Sequence, residues 1–147
     1  MLIDTSGLLC YHDRDQAEHE LATRLLEQPS RKLLHNYVLV EFVALAGART
    51  LPRKPALDFL NAVLKHPLVE TVWVDERLHL EGIELLKRRM DKEYSLCDAV
   101  SFALMRTRRL DEALTTDHHF EQEGFQALLR GGGRKPSRPM RPRRRRT

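Results

Sequence analysis

Four acidic residues stand where an acid needs a reason. Asp4 ends the opening apolar run "MLID". Glu41 lies in "YVLVEFVALAG", flanked on both sides by apolar residues. Asp98 lies in the largely apolar "SLCDAVSFALM", and Asp117 follows "ALTT". A carboxylate among apolar side chains is desolvated, and its charged form is disfavoured unless something positive compensates. Four such groups in one cleft would also repel one another. A divalent cation removes both difficulties, and an all-oxygen donor set suits Mg²⁺ or Mn²⁺ rather than Zn²⁺. A carboxylate-held cation that keeps its waters suits phosphate substrates, so the chemistry suggested is phosphodiester hydrolysis.

Each acid also has an ordinary explanation. Asp4 and Asp117 read as helix N-caps. Asp98, third after Ser95, makes "SLCD" a capping box with Asp in place of Glu. Glu41 reads as one polar edge on a mostly buried helix. The joint placement weighs more than any one of them. Two acids end strands, and two lie near the starts of apolar helices. In a parallel sheet covered by helices, strand ends and the helix starts that follow share one edge. All four can therefore converge there.

The elements that must position them are legible as alternating short and long apolar patterns. Strands are expected at 2–4, 32–36, 69–74, 112–116 and 125–128. Helices are expected at 14–28, 37–49, 53–66, 76–90 and 95–108, with a short one opening at "DHHF". Pro29, Pro52 and Pro67 punctuate the boundaries. Strands separated by helices imply an α/β fold, a parallel sheet of four to five strands with helices on both faces.

The charge divides the chain in two. Of the 25 basic residues nine lie in 130–147, which holds no acid. Residues 1–129 hold the other 16 against all 21 acids, a net of −5. The body at 1–129 reads as one domain, long enough for a real core. Residues 130–147, "RGGGRKPSRPMRPRRRRT", carry one large apolar residue, Met140, and are expected to be a disordered basic tail. Such a tail would bind nucleic acid without sequence preference. Cys10 and Cys97 form no CxxC pair and read as buried thiols. No apolar run approaches the ~20 residues of a membrane span, and no leader pattern opens the chain, so a cytoplasmic protein without membrane contact is expected.

The stretches "LIDTSGLL" (2–9), "VEFVALAG" (40–47), "YSLCDAVSFALM" (94–105) and "ALTTDHHFEQEGF" (113–125) resemble, in order and spacing, the PIN-domain ribonucleases. Within these the chain looks most like the VapC-type toxins of bacterial toxin–antitoxin pairs. The resemblance implies a PIN-like parallel sheet and Mg²⁺- or Mn²⁺-dependent endoribonuclease activity. Carried over by position, it makes Asp4, Glu41, Asp98 and Asp117 the catalytic and metal-binding residues. Thr5, Ser6 and Thr116 become possible supporting hydroxyls. It further implies an RNA substrate (tRNA, rRNA or mRNA), a VapB-like antitoxin and a homodimer formed through the region 37–66. It says nothing of the basic tail.

Two other readings compete. One is a non-catalytic PIN-fold module that binds RNA or a partner. The other is a receiver-like signalling domain, which would need an acid pair after the first strand and a Lys after the last. Here the first strand ends in a single Asp4, and no Lys follows "FQAL". His118 and His119 read as surface or partly packed residues, and His12, His19, His35, His66 and His79 have no ligand spacing.

Overall fold

The computed structural model describes residues 1–131; the expected tail falls almost entirely outside them. The elements are β1 (Leu2–Ile3), α1 (Thr5–His12), α2 (His19–Leu26), β2 (Lys32–His35), α3 (Asn36–Ala48) and α4 (Arg53–Lys65). Then follow β3 (Val69–Val72), α5 (Glu76–Arg88), α6 (Leu96–Arg108), β4 (Glu112–Leu114), α7 (His118–Gln122) and β5 (Gln126–Ala127). The five strands form one sheet in the order β3-β2-β1-β4-β5, and every pairing is parallel.

Alternation along the central strands sorts the core into two layers. Ile3, Leu34 and Leu114 face one side, where they pack with Leu8, Leu9, Val38, Phe42, Ala46 and Leu60 from α1, α3 and α4. Leu2, Leu33 and Ala113 face the other, against Leu85, Phe102, Met105 and Phe120 from α5, α6 and α7. Val38, Phe42 and Ala46 recur at helical spacing, which is why α3 can bury that stripe while Val40 stays 68% exposed. Each fully buried Phe contributes up to about 3 kcal/mol of burial.

Two departures from the sequence expectation have local causes. The helix expected from residue 14 begins at His19 instead. Asp13 accepts hydrogen bonds from the Asp15 backbone and the Gln16 side chain, and these hold 13–16 as a turn. A helix not delimited beforehand, α1, starts directly after Asp4. It packs so closely on β4 that a Cβ on Gly7 would lie 2.2 Å from the Leu114 carbonyl oxygen. The glycine is what lets the first helix descend onto the sheet edge.

Candidate functional site

The carboxyl edge of the sheet gathers the four acids. Asp4 leaves β1, and its backbone N–H donates to the Leu114 carbonyl of β4 at 3.2 Å. Glu41 lies in the second turn of α3, which begins where β2 ends. Asp98 is the third residue of α6, and Asp117 caps α7 just beyond β4. The shared-edge argument thus holds for each of them.

Asp4 is 4% exposed. Its carboxylate accepts from the Thr115 hydroxyl at 2.8 Å and from Ser6 at 3.0 Å. Among the described residues no Lys, Arg or His pairs with it. Burial pushes the Asp4 carboxyl up to about 6, and the charge of Asp98 adds to this against the hydrogen bonds of Thr115 and Ser6. Asp98 is 8% exposed. Burial also raises its carboxyl above the ordinary range; the Ser95 backbone N–H opposes this, and the negative charges of Asp117 and Glu41 reinforce it. Glu41, half-buried, accepts a 2.6 Å hydrogen bond from Thr5. Cys97 lies between these groups. Burial raises its thiol far above the ordinary value, and the charges of Glu41, Asp4 and Asp98 push it further.

The ordinary explanations of these acids are partly real. Asp4 occupies the N-cap position of α1 but makes no capping hydrogen bond, because its side chain turns to Thr115 and Ser6. Asp98 and Ser95 form the full capping box. Asp117 accepts from the His119 backbone N–H at 2.9 Å. Capping uses part of the accepting capacity of Asp98 and Asp117 and leaves the rest free.

The hydroxyls sort differently from expectation. Thr5 and Ser6 do meet the acids. The expected Thr116 does not; the residue that reaches Asp4 is Thr115. Sheet register is the reason. Ile3 pairs with Leu114, so the residues that follow, Asp4 and Thr115, run side by side. Thr115 also accepts from the Asp117 backbone N–H at 3.0 Å, and one hydroxyl thereby ties two of the four acids together.

His119 is the larger surprise. Its Nδ1 lies 3.3 Å from the Asp98 Oδ2 and 3.3 Å from the Asp117 Oδ2. Its ring stands edge-on to Tyr94, with centroids 5.1 Å apart. Ligand atoms of Asp117, His118 and His119 all lie within 4.8 Å of one another. Only the "DHH" spacing pointed to this, and it could not reveal that Asp98 would join from a different helix. Deeper in the fold, buried His35 bonds Ser101 at 2.8 Å and so joins the end of β2 to α6.

The arrangement fits a divalent cation. Its donors are carboxylate oxygens, two of them on acids that burial and mutual repulsion make reluctant to ionise. A cation is the species that stabilises them as anions. The oxygens are held by hydroxyls and backbone, as orienting partners hold ligands in metal sites.

Comparison with known proteins identifies the fold family. The PIN domain family model matches residues 1–125. The 23S rRNA-specific endonuclease VapC20 of Mycobacterium tuberculosis, from strains CDC 1551 / Oshkosh and ATCC 25618 / H37Rv, is 31% identical over 126 residues. That match covers 85% of this chain and 95% of the relative. The crystal structure of Mycobacterium tuberculosis VapC20, a Sarcin-Ricin loop cleaving toxin, superposes with a TM-score of 0.76 at 30% identity, over 84% of this chain and 95% of that one. With four acids on one sheet edge and this shared fold, the chain belongs to the PIN-domain family and is a homologue of the VapC-type endonuclease toxins.

Proposed function

We propose that the protein is a Mg²⁺- or Mn²⁺-dependent endoribonuclease that hydrolyses RNA phosphodiester bonds, and that it is the toxin of a VapBC-type pair. One observation carries the reading. Asp4 is buried at the carboxyl edge of the sheet with hydroxyls as partners and, among the described residues, no cation beside it. Asp4, Asp98 and Asp117 hold the metal, and Glu41 completes the shell or orients the attacking water. Bound there, a divalent cation supplies positive charge against the phosphate and acidifies a water. The chain's own part is positional. Thr5 fixes the Glu41 carboxylate, Thr115 and Ser6 fix Asp4, and His119 spans Asp98 and Asp117.

The similarity to a 23S rRNA-specific endonuclease makes ribosomal RNA the first substrate to try, ahead of tRNA and mRNA. A small VapB-like antitoxin would cover the cleft, and an RNA substrate places the work in the cytoplasm. Exposed Val40 on α3 and exposed Leu57 and Leu64 on α4 support pairing with a second copy through those helices.

The test is cleavage of a mixed rRNA and tRNA pool by the wild type and Asp4→Asn, each with Mg²⁺, Mn²⁺ or EDTA. Discrete cuts that EDTA stops and the variant lacks are expected. An intact pool in every lane, with the antitoxin shown to be absent, would leave a binding module with the family's fold.

A further inference from the structure

We propose that Trp73 is a base-stacking residue for RNA, a platform on the rim of the acidic edge that receives an unpaired base a few nucleotides from the phosphate to be cut. The inference rests on the RNA-cleaving reading of the site and deepens it by naming a residue that favours single-stranded over paired substrate.

Trp73 is the one tryptophan of the chain, and it is 67% exposed. Among the described residues no Phe or Tyr is comparably exposed. Lone exposed apolar side chains are ordinary on protein surfaces, so exposure by itself assigns nothing. Placement does. β2 lies between β1 and β3, and Leu33 pairs with both Leu2 and Glu70. Two residues along that register Asp4, His35 and Val72 stand level across the three strands, and His35 does pair with Val72. Trp73 follows at once, on the same carboxyl edge as the four acids. Two strand spacings of ~4.8 Å put the Asp4 and Val72 backbones roughly 10 Å apart. At about 3.4 Å of rise per nucleotide in a stacked strand, that span is about three nucleotides.

The indole stands on a braced turn. Residues 73–75 alone connect β3 to α5. The Val74 N–H donates to the Asn36 Oδ1 at 2.7 Å. Asp75 caps α5 by accepting from the Leu78 N–H at 2.8 Å. One turn on, the His79 Nδ1 meets the Tyr37 hydroxyl at 2.5 Å. Asn36 and Tyr37 begin α3, the helix that carries Glu41. The turn is thus tied to the helix of one of the four acids. Val72 and Val74 are partly buried, and the Trp73 between them faces out. A ring presented in this way gives up little freedom when a base settles on it.

The chemistry selects a base over a phosphate. Asp75 and Glu76, the next acids along the chain, are exposed, and Arg77 answers Glu81 at 3.0 Å. Those carboxylates repel a phosphate. An aromatic face accepts any unpaired base, because every base has a π-face. Bases locked in a duplex present only their edges, so Trp73 favours loops and single strands. The exposed Val40, Leu57 and Leu64 that support a second copy lie on α3 and α4, not on this turn.

The single tryptophan is its own reporter. The full chain is titrated in EDTA with a labelled 10-nucleotide single-stranded RNA. Label anisotropy reads binding, and tryptophan emission reads stacking. Emission is expected to fall in step with binding, and the same RNA annealed to its complement should leave it unchanged. Trp73→Ala should weaken single-strand binding about 5- to 150-fold, and Trp73→Phe should restore most of it. With metal present, kcat/KM of the alanine variant on single-stranded RNA should fall by a similar factor, while its urea midpoint matches the wild type. Binding without quenching would overturn the proposal, as would equal affinity of wild type and Trp73→Ala, or no binding at all. A change of oligomeric state in Trp73→Ala would also overturn it, because the indole would then face a second copy. Quenching and weakened binding with no cleavage by either protein would sink the nuclease reading and leave the stacking residue standing. Normal cleavage with no effect of Trp73→Ala would do the reverse.

Discussion

Two buried carboxylates in this molecule are treated in opposite ways. The Glu123 side chain is 4% exposed, and Asp4 is 4% exposed. Glu123 is gripped by Arg89 at 2.5 Å, by Arg106 and by the Tyr94 hydroxyl at 2.9 Å. Burial alone would raise its carboxyl, but the Arg106 and Tyr94 hydrogen bonds and the two guanidinium charges outweigh it and hold it below the ordinary range. Among the described residues Asp4 has hydroxyl partners and no cation, and burial drives it up to about 6. The fold can evidently supply arginines to an acid it keeps for structure. Among the described residues it supplies none to Asp4, which is what the proposed cation site requires.

The sharpest way to break this contrast is to neutralise each acid and measure cleavage. Asp4→Asn should lower RNA cleavage at least about 100-fold, because water activation and in-line attack depend on ligand position. Glu123→Gln should leave cleavage within a few-fold of wild type, since it touches none of the four acids. If Glu123→Gln is as damaging as Asp4→Asn, the division into structural and functional acids fails.

A smaller effect is expected where the two regions meet. Tyr94 bonds Glu123 through its hydroxyl and presents its ring edge-on to His119. His119 spans Asp98 and Asp117. His119→Ala should cost about tenfold to 100-fold in activity or metal affinity, as loss of a ligand-orienting partner does. A Mg²⁺ titration of cleavage separates the two, since misplaced ligands raise the metal concentration needed. Unchanged metal dependence and rate would reduce His119 to a packed surface residue.

Much of the site was legible because it depends on order and spacing along the chain. Asp4 and Asp117 follow apolar strand runs, and Asp98 sits three after Ser95. A parallel sheet brings such positions to one edge whatever the detailed packing. What was not legible depends on register between segments far apart in sequence. Thr115 rather than Thr116 meets Asp4 because Ile3 pairs with Leu114, more than a hundred residues away. His119 finds Asp98 because α7 packs beside the start of α6. The acids' helical neighbourhoods were correct, but the first helix was not delimited, since "TSGLLCYH" has almost no amphipathic pattern. Five of its eight residues are buried, and a helix buried nearly all round shows no stripe.

Stability sharpens the same comparison at lower amplitude. Glu123→Gln leaves Arg89 and Arg106 without their charged acceptor and should cost about 2 kcal/mol in urea unfolding at neutral pH. Asp4→Asn should do the opposite in EDTA. It keeps an oxygen to accept from Thr115 and removes a charge the metal-free fold holds unwillingly. A shift from 3.8 to about 6 corresponds to at most about 3 kcal/mol of stabilisation by the variant.

The pH dependence of these two differences distinguishes the acids most directly. Asp4 has a raised folded pKa, so the native state binds its proton more tightly than the unfolded chain does. Its ionisation therefore costs stability fully above about pH 6, and that cost fades as pH falls towards 4. The advantage of Asp4→Asn over wild type should fade with it. Glu123 has a lowered folded pKa, so it contributes stability above the ordinary Glu range and loses it as pH falls through the folded value. The deficit of Glu123→Gln should thus persist unchanged from pH 8 to about 5 and shrink only below 4.5. Metal-free unfolding curves at pH 8, 6, 5 and 4 would show the first difference declining while the second stays level. Two differences that decline together would mean that one global charge effect governs both acids, and that Asp4 is not held apart for a cation.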